Sequence, residues 1–262
     1  MSYETLLFDL SDGVATITLH RPEAANTLNV QMSKDLYDAA TRCDDDPGIR
    51  AVILTGAGKL FSGGGDIGAF AIAGDDLARV IRDITANLHT AVSRLTHMDA
   101  PLVCAVNGAC AGGALGLGVC GDIVLAAQSA RFTPGYTAIG MSADGGSTHL
   151  LPRLIGLRRT QELFFTNRRL SAEEALAWGL VTEVVADDEL MSRARTLAES
   201  FAGGATRAYG EVKRLLAQTF GNGMETQLEL ETRSMAAMAR SHDGVEGISA
   251  FTARRRPQFR GD

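Results

Sequence analysis

The chain has 262 residues, 45% of them hydrophobic and 21% charged, with a formal net charge of -6. That is enough apolar material for a sizeable core, in one large domain or two small ones, and too ordinary a charged fraction for long disorder. The acidic balance speaks against nucleic-acid binding, and no apolar run reaches the roughly 18 residues of a membrane span, so neither partner is expected.

In chain order, the N-terminal MSYETLLFDL carries acids and no basic segment. It does not read as a signal peptide, and a cytoplasmic location is expected. Val14–Leu19 (VATITL) is β-branched and apolar and predicts a strand. Val30–Cys43 has helical spacing, with Met32, Leu36, Ala39, Ala40 and Cys43 recurring on one face. Ala51–Thr55 (AVILT) is a short apolar run, the pattern of a strand buried on both faces. A glycine loop follows, Ser62-Gly63-Gly64-Gly65-Asp66. Leu77, Val80, Ile81, Ile84, Leu88, Val92 and Leu95 then predict a long helix, closed by Pro101. Leu102–Val106 is a second buried strand, which runs into a second glycine loop, Asn107 to Gly113, and an apolar helix. Ile123–Ala126 is a further strand. Strand–loop–helix units in series predict a parallel α/β core.

Beyond about residue 150 the strand signal nearly disappears. Ser171-Ala172-Glu173-Glu174 is a capping box that opens a helix, with Gly179 near its end. Further helices are expected from Leu190, Arg207 and Met224. The four cysteines (Cys43, Cys104, Cys110, Cys120) lack CxxC spacing and sit mostly in apolar stretches, as buried free thiols do. The five histidines are scattered without ligand spacing, so no metal site is expected.

Both glycine loops join a strand to a helix. Glycine permits φ > 0 there and lets a backbone N–H come close to a ligand. The following helix adds the positive end of its dipole. Two such loops facing one ligand can stabilise negative charge developing on an oxygen. Neither loop is GxGxxG ahead of a well-placed acid, and neither ends in GK[ST], so nucleotide loops are not indicated. On glycine content alone, tight turns that pack helix on strand are the commoner explanation.

Five segments, in order, resemble the motifs of one family. Arg21–Leu28 is similar to RPxxxNxL, Gly58–Ile67 to the FxxGxDL loop, and Pro101–Asp122 to PxxAAVNGxAxGGGxxLAxxCD. Ile139–Thr148 with Leu151-Pro152-Arg153 is similar to LGxxPDGGxTxxLPRxxG, and Phe251–Phe259 to FxxKRxPxF. On these motifs the sequence is identified as a member of the crotonase, or enoyl-CoA hydratase/isomerase, superfamily, over essentially its whole length. The resemblance implies an α/β fold, the crotonase spiral of ββα units over residues 1–195, carrying the acyl-CoA site. A C-terminal helical region over 196–262 would serve oligomerisation and cover the CoA, in a homotrimer or homohexamer. Coenzyme A enters as part of an acyl-CoA thioester substrate, and no separate cofactor is implied. Carried over position by position, the oxyanion hole falls on the N–H groups of Gly65 and Gly113. Ala24, Ala25, Gly63, Asp66, Ile67 and Gly112 fall on substrate-binding positions. Arg254–Arg256 fall where a basic tail reaches CoA phosphates, with a solvated charge run as an equal reading.

The family's hydratases use two glutamates to place water across a double bond. Here these align with Gly116 and Tyr136, and neither is a carboxylate. Asp144, in Ser142-Ala143-Asp144-Gly145-Gly146, falls where acyl-CoA isomerases and one class of dehalogenase carry their key aspartate. The likeness is strongest to the aspartate-dependent branch of phenylacetate-pathway ring-epoxide acyl-CoA isomerases. One base suffices for a 1,3-proton shift, and an apolar site raises its pKa towards useful basicity. An enoyl-CoA isomerase is therefore expected. The alternatives are a 4-halobenzoyl-CoA-type dehalogenase with Asp144 as nucleophile and His89 activating water, an enoyl-CoA hydratase, in which Tyr136 or water alone would act, and a noncatalytic acyl-CoA-binding protein. Asp144 also reads as a turn or N-cap residue before glycines, and His89 as an ordinary half-buried helix histidine. Residues 68–90, Tyr136 and His149 are expected to shape the acyl pocket.

Overall fold

A β-hairpin opens the chain in the computed structural model, which describes residues 3–262. Strands β1 (Leu6–Ser11) and β2 (Val14–Leu19) pair antiparallel across Asp12 and Gly13, whose φ angles are 53° and 75°. Two consecutive left-handed residues match the turn to the twist of the strands, and Asp-Gly is well suited to that conformation. The chain then runs through α1 (Val30–Asp45), β3 (Ala51–Gly56), α2 (Ile67–Ile72), α3 (Leu77–His97), β4 (Leu102–Val106), β5 (Ala109–Ala111) and α4 (Gly113–Val119). It continues with β6 (Ile123–Ala127), β7 (Arg131–Thr133), α5 (Ser147–Ile155), α6 (Leu157–Thr166), β8 (Leu170–Ser171), α7 (Ala172–Trp178) and β9 (Glu183–Val185). Four helices finish it: α8 (Leu190–Ala202), α9 (Thr206–Gln218), α10 (Met224–Met238) and α11 (His242–Thr252).

The main sheet has the order β1-β2-β3-β4-β6-β9 and is parallel from β2 onwards. β5, β7 and β8 form a second, small sheet. Every residue of β3 and β4 is buried, as their unbroken apolar runs predict. α1 packs on β1, β2 and α3, while α8 lies on β2, β3, β4 and β6. This arrangement matters for the site because the glycine loops leave the carboxyl ends of the adjacent parallel strands β3 and β4, where ligands of such sheets bind.

Two main-sheet strands carry no clear sequence signal. β1 buries only Leu6, and β9 has three half-buried residues, too few for a period. Pairing to β2 and to β6 makes them strands. The division expected at residue 195 falls inside α8. That helix buries Leu190, Ala194, Ala198 and Ala202 along one face, so it belongs whole to the core. The expected capping box is present: the Ser171 hydroxyl accepts the Glu174 N–H, the Glu174 carboxylate accepts the Ser171 N–H, and Gly179 ends α7 at φ 83°. All four cysteines are buried free thiols.

α10 buries none of its residues. Met235 is 73% exposed, Ile248 65% and Phe251 87%, so these apolar side chains are not part of an intrachain core. The tail is clasped nonetheless. The buried Asp243 carboxylate accepts the N–H groups of Arg260 and Gly261, both at 2.7 Å. Arg255 is paired with Glu246 at 2.6 Å. Among the described residues no helix is long and apolar enough to cross a membrane.

Candidate active site

Two glycine loops meet because one buried amide holds the first of them. Asn26 is fully buried at φ 50°. Its side-chain N–H groups donate to the carbonyls of Ala57 and Leu60, both at 2.9 Å, and its Oδ1 accepts the Arg21 N–H at 2.9 Å. The loop then runs beside β5, with Ser62 N–H donating to Ala109 O and Ala111 N–H to Ser62 O. Asp66 caps α2 through the Ala69 N–H at 3.1 Å and pairs with Arg21 at 3.1 Å. Burial pushes the Asp66 carboxyl up, but the Ala69 N–H and the Arg21 guanidinium outweigh it and leave the group below its usual value. α2 in turn lays Phe70 over Gly65, where a β-carbon would come within 2.9 Å of the ring. A larger residue there would have to displace the Phe70 ring.

Gly65 and Gly113 line one cavity of about 440 Å³. Among the described residues, neither N–H donates within the loop and turn network, and that of Gly113 opens a helix, where no intrahelical partner exists. Most of the wall is apolar: Leu28, Ile67, Phe70, Ile81, Ile84, Leu88, Ile139 and Met141, from both sides of the glycine loops and from α3, with Thr85, Tyr136 and Ser142 as its polar members besides Asp144. Asp144 is the only carboxylate among the residues that line it.

Asp144 sits at the foot of α5, yet it does not cap that helix. The N-cap is Gly146, with no side-chain cap, and consecutive positive φ angles at Gly145 (61°) and Gly146 (78°) turn the chain away. The carboxylate points to Gly113 instead, with Oδ1 3.2 Å and Oδ2 3.5 Å from where a Gly113 β-carbon would be. The buried Tyr136 hydroxyl lies 2.9 Å from Oδ1, and among the described residues Oδ2 has no hydrogen-bond partner. Burial raises the Asp144 pKa, while the Tyr136 hydroxyl and His89 oppose that shift.

His89 stands beside this group and not in the cavity wall. The residue is exposed rather than half-buried, and its Nε2 accepts the Gly145 N–H at 3.1 Å. That lone pair is therefore engaged in holding the Asp144–Gly145 turn. Gly116 is packed so closely that a β-carbon on it would overlap the Gly145 carbonyl oxygen. The space a hydratase glutamate would need is filled by backbone.

Of the other residues singled out from sequence, Gly63, Ile67, Gly112 and Tyr136 line the cavity, while Ala24, Ala25, Asp66 and His149 do not. Ala25 supports the loop, its carbonyl accepting the Gly63 N–H at 2.9 Å. From the segment 68–90, Phe70, Ile81, Ile84, Thr85 and Leu88 reach the wall. Asn26 belongs to the Arg21–Leu28 motif, and that motif position is the signal the sequence offers for it. The described residues bring together one group with metal-ligand chemistry, His242, Asp243 and Asp262. Its Asp243 is already occupied by the Arg260 and Gly261 N–H groups, and none of the three lines the cavity.

A fold of this topology with paired glycine loops over a carboxylate has known relatives. The family model described as Enoyl-CoA hydratase/isomerase matches residues 9–262. The chain belongs to the enoyl-CoA hydratase/isomerase family. It is similar to the 1,2-epoxyphenylacetyl-CoA isomerase of Escherichia coli K12, 37% identical over 262 residues, which covers 98% of this chain and 99% of that protein. It is 30% identical over 245 residues to 4-chlorobenzoyl coenzyme A dehalogenase-2 of an Arthrobacter species, covering 93% and 89%. An enoyl-CoA hydratase structure from Bacillus anthracis superposes with a TM-score of 0.92 at 30% identity, covering 99% of this chain and all of that one. The names of these relatives cover an isomerase, a dehalogenase and a hydratase, and family membership does not choose among them.

Proposed function

We propose that this family member is an enoyl-CoA isomerase with Asp144 as its single base. The observation that carries this is a half-buried carboxylate with one free oxygen, facing the Gly113 backbone in a largely apolar cavity that holds no second carboxylate. The thioester oxygen of an acyl-CoA would sit between the N–H groups of Gly65 and Gly113. Asp144 Oδ2 would take the α-proton of a 3-enoyl thioester, with the electron pair of the broken C–H bond moving onto the thioester oxygen as a dienolate. Returning the same proton to the γ-carbon gives the conjugated 2-enoyl product. Donors aimed at the developing oxyanion stabilise that intermediate, and the raised pKa of Asp144 makes it a better base than an exposed aspartate.

The wall suits an uncharged acyl group, since no cationic side chain lines it. Hydration lacks support because the two aligned glutamate positions are Gly116, sealed by backbone, and Tyr136. The engaged Nε2 of His89 gives no support to a water-activating role. The exposed apolar side chains Met235, Ile248 and Phe251 support self-association through the C-terminal helices, as a homotrimer or a pair of trimers.

The test is Asp144→Asn, which keeps size and packing but removes the base. Exchange of substrate α-protons into D₂O and isomerisation of a 3-enoyl-CoA are both expected to fall by about 100-fold or more. Isomerisation at the wild-type rate in that variant would end this reading. Halide release from 4-chlorobenzoyl-CoA is expected to be absent.

A further inference from the structure

One phenolic proton faces three acceptors. The Tyr136 hydroxyl lies 2.7 Å from the Gly112 carbonyl oxygen, 2.9 Å from Asp144 Oδ1 and 3.3 Å from the Asp144 carbonyl oxygen. A hydroxyl has a single proton to donate. The Gly112 carbonyl and the Gly113 N–H belong to the same peptide plane. Tyr136 therefore touches, on one side, the oxygen of the carboxylate and, on the other, the peptide whose N–H faces the cavity.

We propose that the Tyr136 hydroxyl follows the protonation of Asp144 and couples it to the Gly113 oxyanion donor. The inference rests on the roles given above to Asp144, Gly65 and Gly113. In the resting site Tyr136 donates to the Asp144 carboxylate, because a charged acceptor makes the stronger bond. When Oδ2 takes the substrate proton, a C–H bond breaks, an O–H bond forms, and the electron pair moves to the thioester oxygen. Asp144 is then neutral and a poorer acceptor, so the Tyr136 proton turns to the Gly112 carbonyl. That bond polarises the Gly112–Gly113 peptide and strengthens its N–H as a donor, by about 10–30% per bond in a hydrogen-bonded chain. The gain arrives at the step in which the oxygen carries negative charge. Return of the proton to carbon restores the carboxylate, and Tyr136 turns back.

Tyr136 keeps its own proton throughout: burial and the neighbouring Asp144 push its phenol far above its usual value. The groups facing the pair are few among the described residues. His89 comes from α3, with its Nε2 engaged by Gly145. The Ser147 hydroxyl comes from α5 and donates to the Asp144 carbonyl at 2.7 Å. Tyr136 is thus a positioning residue, acting through Asp144 and through a peptide.

The probe is acetoacetyl-CoA, whose enolate is visible in the ultraviolet when bound. In an Asp144→Asn background, whose neutral amide stands for the protonated acid, Tyr136→Phe is expected to lower the bound enolate fraction about fivefold, the worth of one hydrogen bond, and to leave butyryl-CoA affinity within about twofold. With Asp144 present, Tyr136→Phe moves the acid limb of α-proton exchange to higher pH, because a bond that favours the carboxylate is lost. Replacement of Tyr136 by 3-fluorotyrosine, whose phenol is a stronger donor, moves that limb to lower pH and, in the Asp144→Asn background, raises the enolate fraction. A merely structural role would not move the limb in opposite directions. The fluorinated protein keeps the shape of the side chain and carries the test alone if Tyr136→Phe does not fold. The coupling is overturned if the enolate fraction and the acid limb stay at the values of the corresponding parent proteins with Tyr136 in the variants that fold. Wild-type protein that neither enolises acetoacetyl-CoA nor exchanges α-protons would instead overturn the underlying assignment of Asp144, Gly65 and Gly113, and the coupling with it.

Discussion

Asn26→Ala isolates what holds the first glycine loop in place. The substitution removes two donated bonds of 2.9 Å, to the Ala57 and Leu60 carbonyls, and the acceptor of the Arg21 N–H at 2.9 Å. The Phe61 carbonyl at 3.2 Å shares the two donated N–H groups, so four polar backbone groups lose a partner and at least three full hydrogen bonds are lost around a fully buried position, at about 1 kcal/mol each as a lower value. The backbone adds to this. Asn26 has φ 50°, a conformation asparagine tolerates and alanine disfavours by about 1 kcal/mol. The expected loss is therefore about 4 kcal/mol in urea unfolding, a large share of a typical domain's stability. Asn26→Gly removes the same bonds without the backbone strain and is expected to recover about 1 kcal/mol of that loss. Because Gly65 rides on the same loop, α-proton exchange in the folded fraction is expected to fall as well. A loss below about 1 kcal/mol, or full exchange activity in a folded Asn26→Ala protein, would refute the claim that this amide positions the loop.

Gly116→Glu tests whether hydration can be restored. The new side chain overlaps the Gly145 carbonyl and presses on the Ser147 N–H, so overpacking of about 1–3 kcal/mol is expected, with displacement of the Asp144 turn. Crotonyl-CoA hydration is expected to remain absent while α-proton exchange drops; hydration gained with exchange intact would show that the backbone does not seal this position. Self-association is checked by sedimentation. Wild-type protein is expected well above its 27.7 kDa chain mass, and Ile248→Glu with Phe251→Glu is expected to sediment as a monomer. A wild-type monomer would refute the assignment of these exposed residues to an interface.

Much of the architecture was legible in the chain itself. The apolar runs Ala51–Thr55 and Leu102–Val106 could be little else than buried strands, and both are buried at every residue of β3 and β4. The capping box at Ser171 needed only local chemistry, because its partners are three residues apart. The ordered motifs named the family, and the absence of carboxylates at Gly116 and Tyr136 was plain from the sequence. β9 and the boundary near residue 195 were not legible, because a three-residue strand exists only through its partner, and α8 joins the core only through its neighbours.

The site divides along the same line. Sequence singled out Gly65, Gly113 and Asp144, and it supplied the residue types that such chemistry needs. It could not say whether Asp144 capped a helix or faced the cavity, since both use the same Asp-Gly-Gly segment. Tertiary structure decided that through Gly145, Gly146 and Tyr136. His89, a candidate catalytic group from sequence, has its Nε2 lone pair engaged by a backbone N–H 56 residues away. Spacing along a chain reports which groups share a face of one element. The directions of hydrogen bonds between elements are set only when the elements pack, and in this protein packing gives Asn26, His89 and Tyr136 their partners.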